Sequence, residues 1–232
     1  DAFKFRPGTD WEAAGMTLAR YVPILEKLRA AVGPDFRLMH EGLGMALGSL
    51  EVIITDFAPV LEALGFYWFE EAFGGTSPEH LELFPRLKAA MPSVQVSGGE
   101  RFLERFEAQL WLDSGALDIV QTDCNVTGLT ENWYIAQAAH LRGIKSIPHN
   151  WHGGGSTMVN AHFVAAIPNR EYCELNQTHN PLKQGIFKEP LTVHKGVMRL
   201  PDKPGFGVEL IDDVEKVFPY EPGAYLRPNP RV

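Results

Sequence analysis

The chain has 232 residues, of which 45% are hydrophobic, a net charge of −8 and two cysteines, Cys124 and Cys173. The length is enough to bury a sizeable core, and the acidic balance argues against a nucleic-acid backbone as partner. Two cysteines are too few for a disulfide framework and point to a reducing cytoplasm.

No apolar run reaches the ~18 residues needed to span a bilayer. The first residues, DAFKFRPGTD, lack the apolar stretch of a signal peptide. They also lack an initiator Met and begin inside a strand-like run, which reads as a piece of something longer.

Along the chain, short apolar runs alternate with amphipathic segments. Strands are predicted at 2–6, 36–41, 66–71, 94–99, 117–123, 145–150 and 171–175, and helices at 11–31, 51–64, 79–90, 102–113, 130–141 and about 156–166. Gly33-Pro34, Gly65, Pro92, Gly115 and Gly143 stand where each helix has to stop. Strand–helix alternation with short loops specifies a parallel α/β sheet. From about Gly196 the rhythm is lost in Pro- and Gly-rich sequence. The expected division is a (β/α) barrel over 1–195 and a segment over 196–232 that packs on the barrel exterior, a cap or a neighbouring chain.

The stretch YWFEEAF (67–73) places two carboxylates side by side after three aromatic residues. A strand alternates its faces, so Glu70 and Glu71 point in opposite directions, and burying either one unpartnered is expensive. Glu70 also belongs to a series. Glu41, Glu70, Glu100, Asp123, His149 and Glu174 each fall at or just beyond the end of a predicted strand, at intervals of 29, 30, 23, 26 and 25 residues. Each interval is one strand–helix unit. In a closed barrel these strand ends converge on one mouth, whereas an open sheet brings only a few to its crevice. The RPGTDW stretch (6–11) matches neither a dinucleotide nor a P-loop fingerprint. Taken singly, a strand-end Glu is most often a solvated surface residue, so the case rests on the register of the set. Three carboxylates in one mouth repel one another unless a hard cation such as Mg²⁺ lies between them. On this reading Glu70 faces the mouth, and Glu71 turns away to a salt bridge or a supporting role.

The segments AVGPDFRLMHEG, GFYWFEEAF, VSGGERF, ALDIVQTDCNVTGLTENWYIAQAAHLRG and IPHNWHGGG, with MRLPDKPGFGVEL nearer the end, resemble in order and spacing the barrel of the enolase superfamily. The branch is that of mandelate racemase and muconate lactonizing enzyme, and the resemblance covers roughly residues 1–212. It implies a modified TIM barrel, (β/α)₇β, here without the branch's N-terminal α+β capping domain and first barrel strand. It also implies one Mg²⁺ held by Glu41, Glu70 and Glu100. The common chemistry is abstraction of a proton α to a carboxylate, with the metal stabilising the enediolate. Such a proton is too weakly acidic for an unaided side chain, and preorganised charge is the remedy. Asp123 and His149 match the branch's Asp–His dyad, in which the carboxylate orients the imidazole and raises its basicity. Glu174 matches an acidic residue that bonds the developing oxyanion. Lys4 and Arg6 stand where the branch often carries Lys-x-Lys, whose second Lys is a base opposite the His.

Departures from the pattern bear on the reaction. Arg6 is a poor base, because guanidinium holds its proton too tightly, but it suits a carboxylate. The first metal ligand, usually Asp before Ala-Asn, is Glu41 before Gly42-Leu43. Ala72 replaces an expected Pro. Alternation turns His40 away from the mouth, while Trp151, His152, Asn176 and His179 are placed to line a substrate pocket. The branch's cycloisomerases and dipeptide epimerases carry a Lys where this chain has Asp123. The expected function is therefore a Mg²⁺-dependent lyase that dehydrates an aldonate or aldarate to a 2-keto-3-deoxy acid. Alternatives are a racemase or epimerase of a 2-hydroxy acid, or a catalytically degenerate metal-binding homologue. The expected partners are an acid-sugar substrate, further copies of the chain, and a separate chain or segment supplying the cap.

Overall fold

The computed structural model describes residues 2–7, 11, 13–42, 49–189, 191–220 and 222. Residues 8–10 of the RPGTDW stretch, Leu43 and residues 223–232 of the tail lie outside the described residues. Six strands, β1 (Ala2–Phe5), β2 (Arg37–Glu41), β3 (Trp68–Glu70), β4 (Gln95–Gly98), β5 (Ile119–Val120) and β6 (Lys145–Ser146), pair in parallel in chain order. Helical segments join them. α1 (Leu18–Val32) follows β1, and α2 (Leu50–Val52), a π-helical turn (Ile53–Phe57) and α3 (Ala58–Ala63) follow β2. A 3₁₀ turn (Pro78–Leu83) and α4 (Phe84–Ala90) follow β3, and α5 (Arg105–Ser114), α6 (Leu129–His140) and α7 (Gly154–Ala166) follow β4, β5 and β6. α1 starts later than the predicted 11–31. Trp11 instead buries its ring edge-on against Tyr21, and Gly15 takes a left-handed turn at φ +58° before the extended Thr17.

Strand alternation sorts the side chains into two layers. Leu38, His40 and Phe69 face the helices, whereas Met39, Trp68, Ile119 and Ile147 form a separate inner cluster with Tyr67 and Tyr172. His40 is fully buried among aromatic rings, with Nε2 2.9 Å from the Tyr21 hydroxyl. Burial depresses its pKa to about 3, so it is neutral and shares a single hydrogen bond with the Tyr21 hydroxyl.

The sheet curls. Flat strands are spaced by ~4.8 Å, which would hold β2 and β6 about four spacings apart. Yet Arg37 at the start of β2 and Lys145 of β6 both reach the Glu171 carboxylate, at 2.8 and 2.6 Å, and Tyr67 beside β3 donates to it as well.

The predicted strand at 171–175 is corrected. No ladder forms there, because side chains supply the bonds that a strand would draw from backbone pairing. Glu171 binds at the N-terminal ends of the strands, while the Glu174 carboxylate joins Lys4 of β1 to the backbone N–H of Asn150 beyond β6. The segment thus stands between the first and last strands. Beyond it, α8 (Pro181–Gln184) leads to a short hairpin of β7 (Val193–His194) and β8 (Val197–Met198). Backbone bonds tie 186–188 to 209–211 before α9 (Val214–Val217). Among the described residues no helix is long and apolar enough to cross a membrane.

Candidate active site

Glu41 and Glu70 end adjacent strands and are register partners, so their inward side chains stand next to each other. Gly42 allows this approach, since a Cβ there would lie 2.9 Å from the Glu71 carbonyl and 3.1 Å from Ala72. On β4 the register partner of Glu70 is Ser97, so the third carboxylate has to come from further along the chain. A sharp turn delivers it. Gly99 adopts φ +99°, where a side chain is strained, and a Cβ would sit 2.6 Å from the Phe102 ring. The Gly99 N–H donates to Glu71 Oε1 at 2.7 Å, with Glu71 itself held at φ +46°. Glu71 therefore turns away from the mouth as expected. Its supporting role is a buried hydrogen bond that pins the turn before Glu100. Burial, with Glu100 and Glu70 near it, pushes the Glu71 carboxyl up to about 7 against the pull of that bond.

Glu41, Glu70 and Glu100 each bring a carboxylate oxygen within 4.8 Å of the others. Burial, then the proximity of Glu70, raises the Glu41 carboxyl to about 7, while Lys4 and Arg6 draw it down. Lys4 reaches across from β1 to Glu70 Oε1 at 2.5 Å and to Glu174 Oε1 at 2.6 Å. Burial opposes its charge, but the two carboxylates prevail and Lys4 stays protonated well above the usual range. Arg6 Nη1 lies 3.6 Å from Glu41 Oε1, and its guanidinium lies 5.2 Å from the Trp151 ring centroid. Arg6 thus sits against a proposed metal-ligand carboxylate.

On the other side of the mouth, His149 Nδ1 lies 3.0 Å from Asp123 Oδ2, and its Nε2 is 3.5 Å from Glu100 Oε2. Asp123 is fully buried. Burial opposes its ionisation, yet bonds from His149, Asn125 and Asn160 hold it down to about 2. Burial likewise opposes charge on His149, but Asp123, Glu174 and Glu100 raise it above the ordinary imidazole value. His152 Nε2 approaches the same Asp123 oxygen at 3.2 Å.

The eight residues expected to act in catalysis or metal binding, Lys4, Arg6, Glu41, Glu70, Glu100, Asp123, His149 and Glu174, converge on this mouth. Two supporting residues were not foreseen. Gln121 Nε2 donates to Glu70 Oε2 at 2.7 Å, and Asn160 on α7 donates to Asp123 at 3.2 Å and to the His149 carbonyl at 3.1 Å. A polar residue on the buried face of an apolar helix was the available signal for Asn160. His152, Asn176 and His179 line a cavity of about 790 Å³ beside the mouth, between the start of α7 and the loop into α8.

Residues 1–214 match the family model described as enolase C-terminal domain-like. The chain belongs to that family. It is 34% identical over 199 residues to D-galactarolactone cycloisomerase of Agrobacterium fabrum, covering 82% of this chain and 51% of the relative. It is 36% identical over 191 residues to arabinonate dehydratase of Saccharolobus solfataricus, covering 82% and 49%. Among solved structures, the 3,6-anhydro-D-galactonate cycloisomerase of Zobellia galactanivorans superposes with a TM-score of 0.78 at 27% identity, covering 94% of this chain and 57% of that one. This enolase-type chain thus spans about half the length of the curated relatives it matches. Two of these relatives are named cycloisomerases.

Proposed function

We propose that the chain carries the catalytic barrel of a sugar-acid lyase that removes an α-proton with one base and expels a β-oxygen. The observation that carries this reading is the asymmetry of the mouth. On one side His149 is oriented by Asp123 at 3.0 Å. On the β1 side, Lys4 is locked between Glu70 and Glu174, and Arg6 lies against Glu41. A racemase needs a proton carrier on each face, whereas a syn elimination needs one. The names arabinonate dehydratase and L-rhamnonate dehydratase among the relatives support a sugar acid as substrate and water as the leaving group.

Two buried carboxylates and a partly buried third, with Glu41 raised toward neutrality by burial and then by Glu70, form a donor set that fits a hard divalent cation. We assign Glu41, Glu70 and Glu100 as the residues that would hold Mg²⁺. When bound, the cation supplies charge stabilisation for the substrate carboxylate as the α-proton leaves. His149 Nε2 takes that proton, and Asp123 holds the resulting imidazolium through Nδ1. Glu174 and Lys4 form an ion pair that fixes polar groups at the β1 side. Arg6 binds substrate oxygen or Glu41 and moves no proton. The homo-oligomeric state and a cap supplied by sequence beyond this chain belong to the same proposal.

A cycloisomerase is the second reading, favoured by the two relatives so named. It uses the same base, with a ring oxygen as the leaving group instead of water. Assay against a library of aldonates, aldarates and their lactones, with and without Mg²⁺, tests the assignment. Turnover of an open acid to a 2-keto-3-deoxy acid supports the dehydratase, and turnover confined to lactones or anhydro acids supports the cycloisomerase. No turnover of either kind leaves the degenerate homologue.

A further inference from the structure

His152 is unaccounted for by the single-base reading. Its Nε2 lies 3.2 Å from Asp123 Oδ2, the same oxygen that receives His149 Nδ1 at 3.0 Å. The two imidazole rings stand edge to face with centroids 6.1 Å apart. His149 is largely buried, with 16% of its side chain exposed, while His152 is 45% exposed and lines the cavity beside the mouth. One buried carboxylate thus orients two histidines, one pointing at the carboxylate trio and one opening onto the space beyond it.

Elimination of water from a sugar acid needs two proton movements on neighbouring carbons. The C–H bond at the α-carbon breaks toward a base, and the C–O bond at the β-carbon breaks with a proton delivered to the hydroxyl. Hydroxide is a poor leaving group, and a positioned acid typically contributes about 10²–10⁴-fold to such a step. Resting on the lyase reading above, we propose that His152 is the acid that protonates the departing β-hydroxyl, while His149 takes the α-proton. The balance closes. His149 gains one proton, His152 loses one, the electron pair of the C–H bond becomes the new C=C bond, and the C–O pair leaves with water. The resulting enol tautomerises to the 2-keto-3-deoxy acid, and the two imidazoles recover their protonation states through solvent, to which His152 is open. Asp123 serves both by holding the two rings on one oxygen. Two rings held on one oxygen atom, with centroids 6.1 Å apart, are within the span of one sugar acid.

The test uses His152→Gln, whose amide still donates to Asp123 but delivers no proton. Arabinonate and galactonate serve as probes in D₂O with Mg²⁺, followed by NMR, together with their β-deoxy-β-fluoro analogues. Fluoride leaves without an acid. The expected result is a fall in dehydration of about 10²-fold or more, with α-deuterium exchange retained and fluoride elimination near the native rate. Loss of exchange and dehydration in parallel, or no rescue with the fluoro acids, would overturn the assignment to His152 and leave the lyase reading standing. Absence of α-exchange, dehydration and fluoride release in the native protein would overturn the lyase reading and this proposal with it.

Discussion

Asp123 Oδ2 lies 3.0 Å from His149 Nδ1, and Asp123 is itself fully buried under bonds from Asn125 and Asn160. This fixes the tautomer in which Nε2 faces the carboxylates of the mouth. His149→Asn is expected to abolish α-proton exchange while leaving divalent-cation binding by calorimetry within a few-fold of native. Asp123→Asn is expected to be milder and to shift the pH–rate profile, because the base loses the charge that raises its pKa. Exchange that survives in the His149 variant points to Lys4 as the base.

Glu71 gives a prediction about the metal that does not pass through a ligand. The one described hydrogen bond of its carboxylate, accepted from the Gly99 N–H, holds the turn that aims Glu100. Glu71→Ala is expected to weaken Mg²⁺ binding by about 10–100-fold, the usual cost of losing a group that orients a ligand. Glu100→Gln is expected to weaken it further and to remove turnover. Isothermal calorimetry on folded variants, checked by circular dichroism, reads both. Native affinity in the Glu71 variant would show that the Gly99 turn holds itself.

Strand periodicity carried much of this site. Glu41, Glu70, His40 and Lys4 could be placed because one residue of register decides which face a side chain takes, and each faces as alternation requires. The strand-and-helix spacing brought Asp123 and His149 to the same mouth. What failed was the element that does not use backbone pairing: 171–175 has strand-like composition, but Glu171 and Glu174 are held by Arg37, Lys145, Lys4 and Asn150. Two of these contacts, Arg37–Glu171 and Lys4–Glu174, join positions more than a hundred residues apart, and no local pattern encodes them. The left-handed Glu71 was hidden for a related reason, since the turn's strain is compensated by a bond from Gly99, just beyond the next strand. Nor did the sequence separate His152 from other loop histidines, because its place is set by Asp123.

His40 predicts an acid sensitivity independent of catalysis. Its folded pKa is depressed to about 3, while an unfolded chain has a His near ~6.5. Below that value the unfolded state takes up the proton first, so stability falls as pH drops from about 6.5 toward 3. At pH 4.5 the loss from this one group is about 2–3 kcal/mol. His40→Gln is expected to narrow the gap in Tm between pH 7 and pH 4.5, even if it lowers Tm at pH 7. An unchanged gap would mean that other groups dominate the acid response.

Arg6→Lys probes the face opposite His149. Arg6 lies beside Glu41 and cannot give up its proton at neutral pH. A lysine there offers an amine whose pKa falls if Lys4 and burial disfavour its charge. The expected gain is slow deuterium exchange of a second α-epimer, visible by NMR, at a cost in turnover. No exchange of that epimer, with folding intact, would show that the β1 side lacks room for a base.

Elimination driven by a single base is read from the fate of the α-proton in the native protein. Paired α-epimers of the sugar acids are incubated in D₂O with Mg²⁺ and followed by NMR. One epimer is expected to be converted to a 2-keto-3-deoxy acid, while the other remains free of deuterium and is not formed from the first. Interconversion of the two epimers with no loss of water would contradict it, and would make Lys4, freed from Glu70 and Glu174, the second base of a racemase.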